Sequence, residues 1–281
     1  MISGSLLINK KIGLTSRQEV NNVSHKLNEK KAGHIGTLDP FADGLLIVLL
    51  GASTKISPFL ETMDKVYIAT LKLGEKTNTG DLTGEVIETK KIPTLTKEKV
   101  VETLSKFKGK QSQIPPMYSA IKVNGKELYK YARSGVEIER KSRDIYIFDI
   151  KLLTLNENEL TFSAHVSKGT YIRTLAEDIA VSLGCVGHLT KLTRVKIGPY
   201  SLEDAKNSDE VNEKDLIDIP TMLSHLKNIK LNDRDAKRAL NGCQLKLSAC
   251  DEYVLVSDIN GVIAIYNKQL NGVYSCLRGL R

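Results

Sequence analysis

Cysteine is sparse in this chain of 281 residues, and long apolar runs are missing from it. The four cysteines, Cys185, Cys243, Cys250 and Cys276, make no CxxC pair and keep no metal-ligand spacing with the five histidines. A thiolate metal centre is therefore not expected, and buried reduced thiols are the simplest account. The N-terminal stretch MISGSLLINKKIGLTS lacks the apolar core of a signal peptide. No window approaches the roughly 20 apolar residues of a membrane-spanning helix. A cytoplasmic protein without membrane contact is the expectation. Internal repeats, low-complexity segments and a long basic tail are also missing.

What is present is a surplus of positive charge: 41 Lys and Arg against 33 Asp and Glu, a formal charge of +8. That surplus favours a polyanionic partner, but its even spread along the chain fits an ordinary basic surface as well. The length suits one large core with a small appended unit, and the charged stretch Lys206 to Lys214 puts a boundary near Lys227. The expected division is 1–227 and 228–281.

Local patterns place the elements. Leu6 to Ile8 read as a strand, and Ser16 with Glu19 has the spacing of a capping box opening a helix buried through Val20, Val23 and Leu27. The stretch GHIGTLDPFADG, with three glycines and a proline, predicts an irregular polar loop carried on the apolar run Leu45 to Leu50. Strands are expected at Val66–Leu73, Asp144–Leu155, Leu160–Val166 and Leu189–Ile197. Helices are expected at Lys97–Phe107, Glu127–Arg133 and Ile172–Leu183, and Glu75–Glu85 reads as a long acidic connection. Beyond the boundary, a helix over Asp233–Asn241 ends at Gly242, and short strands follow at Tyr253–Val256, Val262–Tyr266 and Val273–Cys276.

Asp39 stands in the glycine-flanked loop just before Pro40. Asp before Pro commonly starts a turn, so the local pattern alone leaves it open between a turn residue and a rigidly presented carboxylate. Tyr67, set mid-strand, is equally open between a core tyrosine and a site residue.

GHIGTLDPFADGLLIVLLGASTK (Gly33 to Lys55), KVYIATLKLG (Lys65 to Gly74) and TNTGDLTG (Thr77 to Gly84) follow one another along the first half. QIPPMYSAIKVNGKELYKYARSG (Gln113 to Gly135) and SKGTYIRTLAEDIAVSLG (Ser167 to Gly184) come after them in order. Together these blocks resemble the TruB family of pseudouridine synthases. The resemblance implies an enzyme that isomerises a uridine in the T loop of tRNA, at position 55, without metal or cofactor. It further implies that Asp39 is the nucleophile, Arg173 the arginine paired with it, and Tyr67 an active-site tyrosine packed on the target base. His34 would help hold the RNA loop, with Lys55 and Lys122 on phosphate and Tyr171 stacking on a base. Whether Asp39 attacks C6 or C1′, and which proton Tyr67 moves, stay open.

The fold so implied is α+β, a catalytic domain whose mixed, largely antiparallel sheet carries the cleft across one face, followed by a small PUA-like RNA-binding β-barrel. The target uridine is stacked inside the RNA, so it has to be flipped out to react. The interleaved Lys126, Tyr129, Lys130, Tyr131 and Arg133 would suit the unstacked strand. The stand-alone branch of the family is implied: a monomer without guide RNA. Two rivals stay in view, a non-catalytic tRNA-binding or folding module and a synthase acting on another RNA.

Overall fold

Residues 2–281 are described in a computed structural model of the protein. Its strands assemble a nine-stranded sheet. The main path runs Gly4–Lys10, Asp43–Leu50, Gly187–Ile197, Lys65–Leu73, Glu159–Val166, Arg143–Leu155 and Gly109–Gln113. Asp43–Leu50 runs parallel to Gly187–Ile197, and the other neighbours on this path are antiparallel. The fold is thus α+β with a mixed, largely antiparallel sheet.

The two-residue period decides which face is covered. In Glu159–Val166, Leu160, Phe162, Ala164 and Val166 point into the core, while Thr161, Ser163 and His165 alternate on the other side. Helix Ile172–Ser182 lies on the buried face through Ile172, Leu175, Ala176 and Ile179, and helix Lys97–Ser105 does so through Val100 and Leu104. Their apolar residues recur every three or four positions, as a one-sided helix requires. Leu38, Phe41, Ala42 and Tyr67 belong to the same core, so the loop carrying Asp39 is seated on the main hydrophobic cluster.

Several local features differ from the sequence expectation. The capping box of the first helix, Ser16–Lys26, lies one residue earlier, with Thr15 as cap and Gln18 reaching back to it. Ser16 and Glu19 are both buried, which takes them away from a solvent-facing cap. Glu19 instead accepts the Lys11 N–H at 3.2 Å. The stretch from Gly33 is not wholly irregular either. Ala32–Ile35 pairs with Asp43–Leu50, and only residues 36–42 form the loop. The acidic connection opens as a hairpin, Glu75–Thr77 against Val86–Thr89. The charged stretch after Lys206 is tied down: Lys206 donates to Leu7 O at 3.0 Å and accepts from Asn9 N–H at 2.8 Å. Together with the buried Val211 it covers the free edge of Gly4–Lys10, which would otherwise expose unpaired backbone. Cys185 is buried as expected, but Cys243 and Cys250 are exposed, and all four cysteines are free.

The C-terminal strands Lys227–Lys230, Tyr253–Asp258, Gly261–Lys268 and Tyr274–Gly279 form a second, four-stranded sheet. Helix Asp233–Leu240 packs beside it on a core that includes Tyr266 and Tyr274. This unit also contributes Leu255, Ile265 and Leu280 to the cluster around Leu45, Ile47, Leu49, Ile56 and Leu60. Phe59 meets Tyr253 edge-on at 5.7 Å, so the two sheets share a packed boundary. Among the described residues no helix is long and apolar enough to cross a membrane.

Candidate active site

A cleft of about 940 Å³ opens beside the start of helix Ile172–Ser182, with Asp39, Tyr67 and Arg173 among the residues lining it. Asp39 owes its place to a tight turn in which its carbonyl accepts the Ala42 N–H at 3.1 Å. Pro40 at the next position favours such a turn. Phe41 and Ala42 plug into the core on the far side. The half-buried carboxylate meets Arg173, whose Nε lies 2.9 Å from Asp39 Oδ2.

Arg173 ties three segments together. It is 4 % exposed, and beyond Asp39 it donates through Nη1 to Thr79 O at 2.8 Å and through Nη2 to Tyr118 O at 2.7 Å. Asp81 Oδ2 lies 3.7 Å from Nη1. Asp81 is itself buried, and its Oδ1 accepts from Thr79 Oγ1 at 2.9 Å and from the Thr83 N–H at 2.9 Å. The sequence reading passed over Asp81. The signal for it was the Thr79–Asp81–Thr83 spacing, which suits an Asp gathering bonds from its own loop.

Burial holds the Asp39 carboxyl above the ordinary carboxylate range. The neighbouring Arg173 charge and hydrogen bond pull it back, Asp81 pushes it up further, and Lys10 pulls weakly down. Removal from water is thus the larger effect, and Arg173 is the largest one opposing it.

Tyr67 lines the cleft from strand Lys65–Leu73, 9 % exposed and opposite Ala164 and Arg194 on the neighbouring strands. Tyr171, just before helix Ile172–Ser182, is fixed by Gln113, which accepts its N–H at 2.8 Å and donates to its carbonyl at 3.1 Å. The Arg143 guanidinium lies over its ring, 5.9 Å from the centroid.

His34 also lines the cleft. Burial first, then the charges of Arg17 and Arg194, bring its pKa down to about 4, so the imidazole is neutral at physiological pH. Because the folded value lies below the ordinary 6.5, this histidine supports the fold fully above pH 6.5, and that support is lost as pH falls toward 4. Following the imidazole proton signals by NMR should show His34 uncharged at pH 6. A midpoint near 6.5 would mean that the ring is more open to water than its place in the cleft implies.

Lys55 and Lys122 are not brought to the cleft. Lys55 donates to Gly279 O at 2.7 Å, on the last C-terminal strand. Lys122 is exposed on a two-stranded hairpin, 3.9 Å from Glu127 Oε1.

Other cations, unmarked in the sequence, take the positions at the cleft. Arg194 is 1 % exposed and donates to Leu45 O at 2.7 Å and Gly36 O at 2.8 Å, bracing both ends of the Asp39 loop. Gly44 accommodates it, since a Cβ there would sit 2.4 Å from Arg194 O and the residue has φ of +101°. Lys65 donates to Glu61 O at 3.0 Å and to Met63 O, and burial lowers its pKa to about 8. With Arg143, Lys168 and Arg173, these make five cations around the cleft against the carboxylates Asp39, Glu61 and Asp144. That balance suits a ligand bearing phosphates.

The sequence pattern of the TruB family pseudouridylate synthase N-terminal domain matches residues 24–172, and that of the tRNA pseudouridylate synthase B C-terminal domain matches residues 173–226. The chain is 42% identical over 287 residues to tRNA pseudouridine synthase B of Burkholderia lata, covering 97% of this chain and 88% of the relative. To the same-named protein of Oceanobacillus iheyensis it is 42% identical over 280 residues, covering 94% and 92%. Among solved structures, a chain of a Cbf5-Nop10-Gar1 complex superposes with a TM-score of 0.75 at 21% identity, covering 99% of this chain and 85% of that one. At that identity the likeness concerns the fold.

Proposed function

The chain belongs to the TruB family of pseudouridylate synthases, and on that premise we propose that it converts the T-loop uridine at position 55 of tRNA to pseudouridine, with Asp39 as the nucleophile. The observation that carries this reading is the Asp39–Arg173 pair, closed at 2.9 Å beside a cleft with five cations. The cations take the RNA backbone, and the uridine is flipped into the cleft against Tyr67.

With water displaced, Asp39 adds at C1′ or at C6 of the uracil. The bond from C1′ to N1 breaks, the base turns, and a bond from C1′ to C5 forms. C5 then gives up its proton, N1 ends with one, and the carboxylate is released unchanged. Product and substrate are isomers, so the balance needs no external reactant. Tyr67 is a candidate acid or base for the late proton transfer.

His34, neutral and partly buried, helps hold the RNA loop, and Tyr171 offers a ring for a neighbouring base. Lys122 and the basic and aromatic helix Leu128–Arg133 contact RNA phosphates outside the cleft; the exposure of Lys122 on its hairpin supports this. Residues 1–227 form the catalytic domain and 228–281 a PUA-like RNA-binding unit. The protein acts in the cytoplasm as a monomer, without guide RNA and without cofactor.

Incubation with unmodified tRNA transcript and nucleotide-resolved mapping of pseudouridine tests the reading. One modified position in the T loop, absent when that uridine is replaced by cytidine, is expected. Modification confined to another position or another RNA would reassign the substrate. Tight binding with no pseudouridine would leave a tRNA-folding module.

A further inference from the structure

Ser16 has a hydroxyl that helix capping does not use, because Thr15 holds the cap. Its Oγ instead accepts the Leu38 N–H at 2.9 Å and donates to the Leu38 carbonyl at 3.2 Å. A hydroxyl has the one proton and the lone pairs to make both bonds at once. Ser16 is 2 % exposed and Leu38 3 %, so water does not compete. The residue immediately before Asp39 is thereby fixed through both of its backbone polar groups, from a point 22 positions away in the chain.

The residue immediately after Asp39 is held from the same segment. Pro40 O accepts the Gly13 N–H at 2.7 Å. Lys10, fully buried, secures that turn by donating to Lys11 O at 3.0 Å and Leu14 O at 2.7 Å. Asp39 thus sits between two anchors on residues 10–16, its carbonyl engaged with Ala42 and its carboxylate with Arg173.

We propose that Ser16 is a positioning residue for Asp39, setting the aim of the carboxylate in the cleft through Leu38. The inference rests on Asp39 being the nucleophile. Without the hydroxyl, Leu38 keeps a buried N–H and a buried carbonyl with no partner, and the loop has to move to satisfy them. Such a shift falls directly on the carboxylate, where a displacement of about 1 Å is enough to cost on the order of 100-fold in rate. RNA binding is unaffected, because the cations of the cleft are carried on other elements.

The test compares Ser16→Ala, Ser16→Thr and Asp39→Asn in the full chain, with thermal unfolding used to choose a temperature at which each is folded. Single-turnover pseudouridine formation at saturating tRNA should fall by about 10- to 100-fold in Ser16→Ala, with an unchanged tRNA dissociation constant. Ser16→Thr, which keeps the hydroxyl, should recover most of that rate. Native turnover in Ser16→Ala alongside an inactive Asp39→Asn would overturn the clamp. So would a loss that appears equally in binding, or one that merely follows the folded fraction. An active Asp39→Asn would instead remove the nucleophile reading, and the clamp with it.

Discussion

Replacing Asp39 by Asn is expected to end turnover while leaving tRNA binding in place. The amide keeps the size of the side chain and an oxygen that can accept from Arg173 Nε, so the turn from Asp39 to Ala42 and the core anchors Phe41 and Ala42 persist. It carries no charge and is a poor nucleophile, and removing the nucleophile of a covalent mechanism costs on the order of 10⁴-fold or more. Single-turnover assays read the rate, and filter binding reads the affinity. Residual modification at more than a trace would take the carboxylate out of the mechanism.

The same residue governs the acid side of the native pH profile. Burial lifts the Asp39 carboxyl above its ordinary 3.8, so the reactive anion is lost at a higher pH than an exposed aspartate would allow. The rate should rise with pH through that raised value, and Asp39 should contribute oppositely to stability. Between 3.8 and the raised value the folded state binds more protons than the unfolded one, so this residue's contribution to unfolding free energy declines as pH rises. The form that reacts is the form that the fold tolerates less well.

How much of this could be read from sequence depended on range. Glu159–Val166 and Ile172–Ser182 follow from their own periodicities, because each buries one face against one neighbour. The first cap moved by one residue because Thr15 and Ser16 are chemically interchangeable there, and the choice was made by Leu38, 22 residues beyond Ser16. Arg194 and Lys65 look like surface cations on strands. They are buried because the cleft gives them backbone carbonyls to bond, which no local pattern records. Asp39 stood out locally by its glycine-flanked loop before Pro40, but its role, like those of Tyr67 and Arg173, came only through the family blocks. The structure adds what the blocks did not state, that Asp81 shares the arginine. Lys55 shows the reverse case, a lysine in a family block whose amine is turned to the last C-terminal strand.

Arg173→Met should weaken the fold and stop turnover, and a second substitution should separate the two effects. The arginine meets Asp39, Asp81, Thr79 O and Tyr118 O at once, a set that only its planar fork can span. Removing it leaves Asp81 buried without its cation and two carbonyls without their donor, a break that typically costs about 3–5 kcal/mol. It also removes the charge that pulls Asp39 down, so the carboxyl climbs still further and the anion becomes scarcer near neutrality. Adding Asp81→Asn to Arg173→Met takes away the stranded charge and should return roughly 1–3 kcal/mol, read as non-additive unfolding free energies. Activity should return at most in small part, because Asp81→Asn lifts the smaller upward push on Asp39 while the larger downward pull of Arg173 is still missing. If turnover recovers in step with stability, Arg173 is a brace for three loops and no part of the chemistry. If stability recovers alone, holding Asp39 ionised is the task that Asn at position 81 cannot take over.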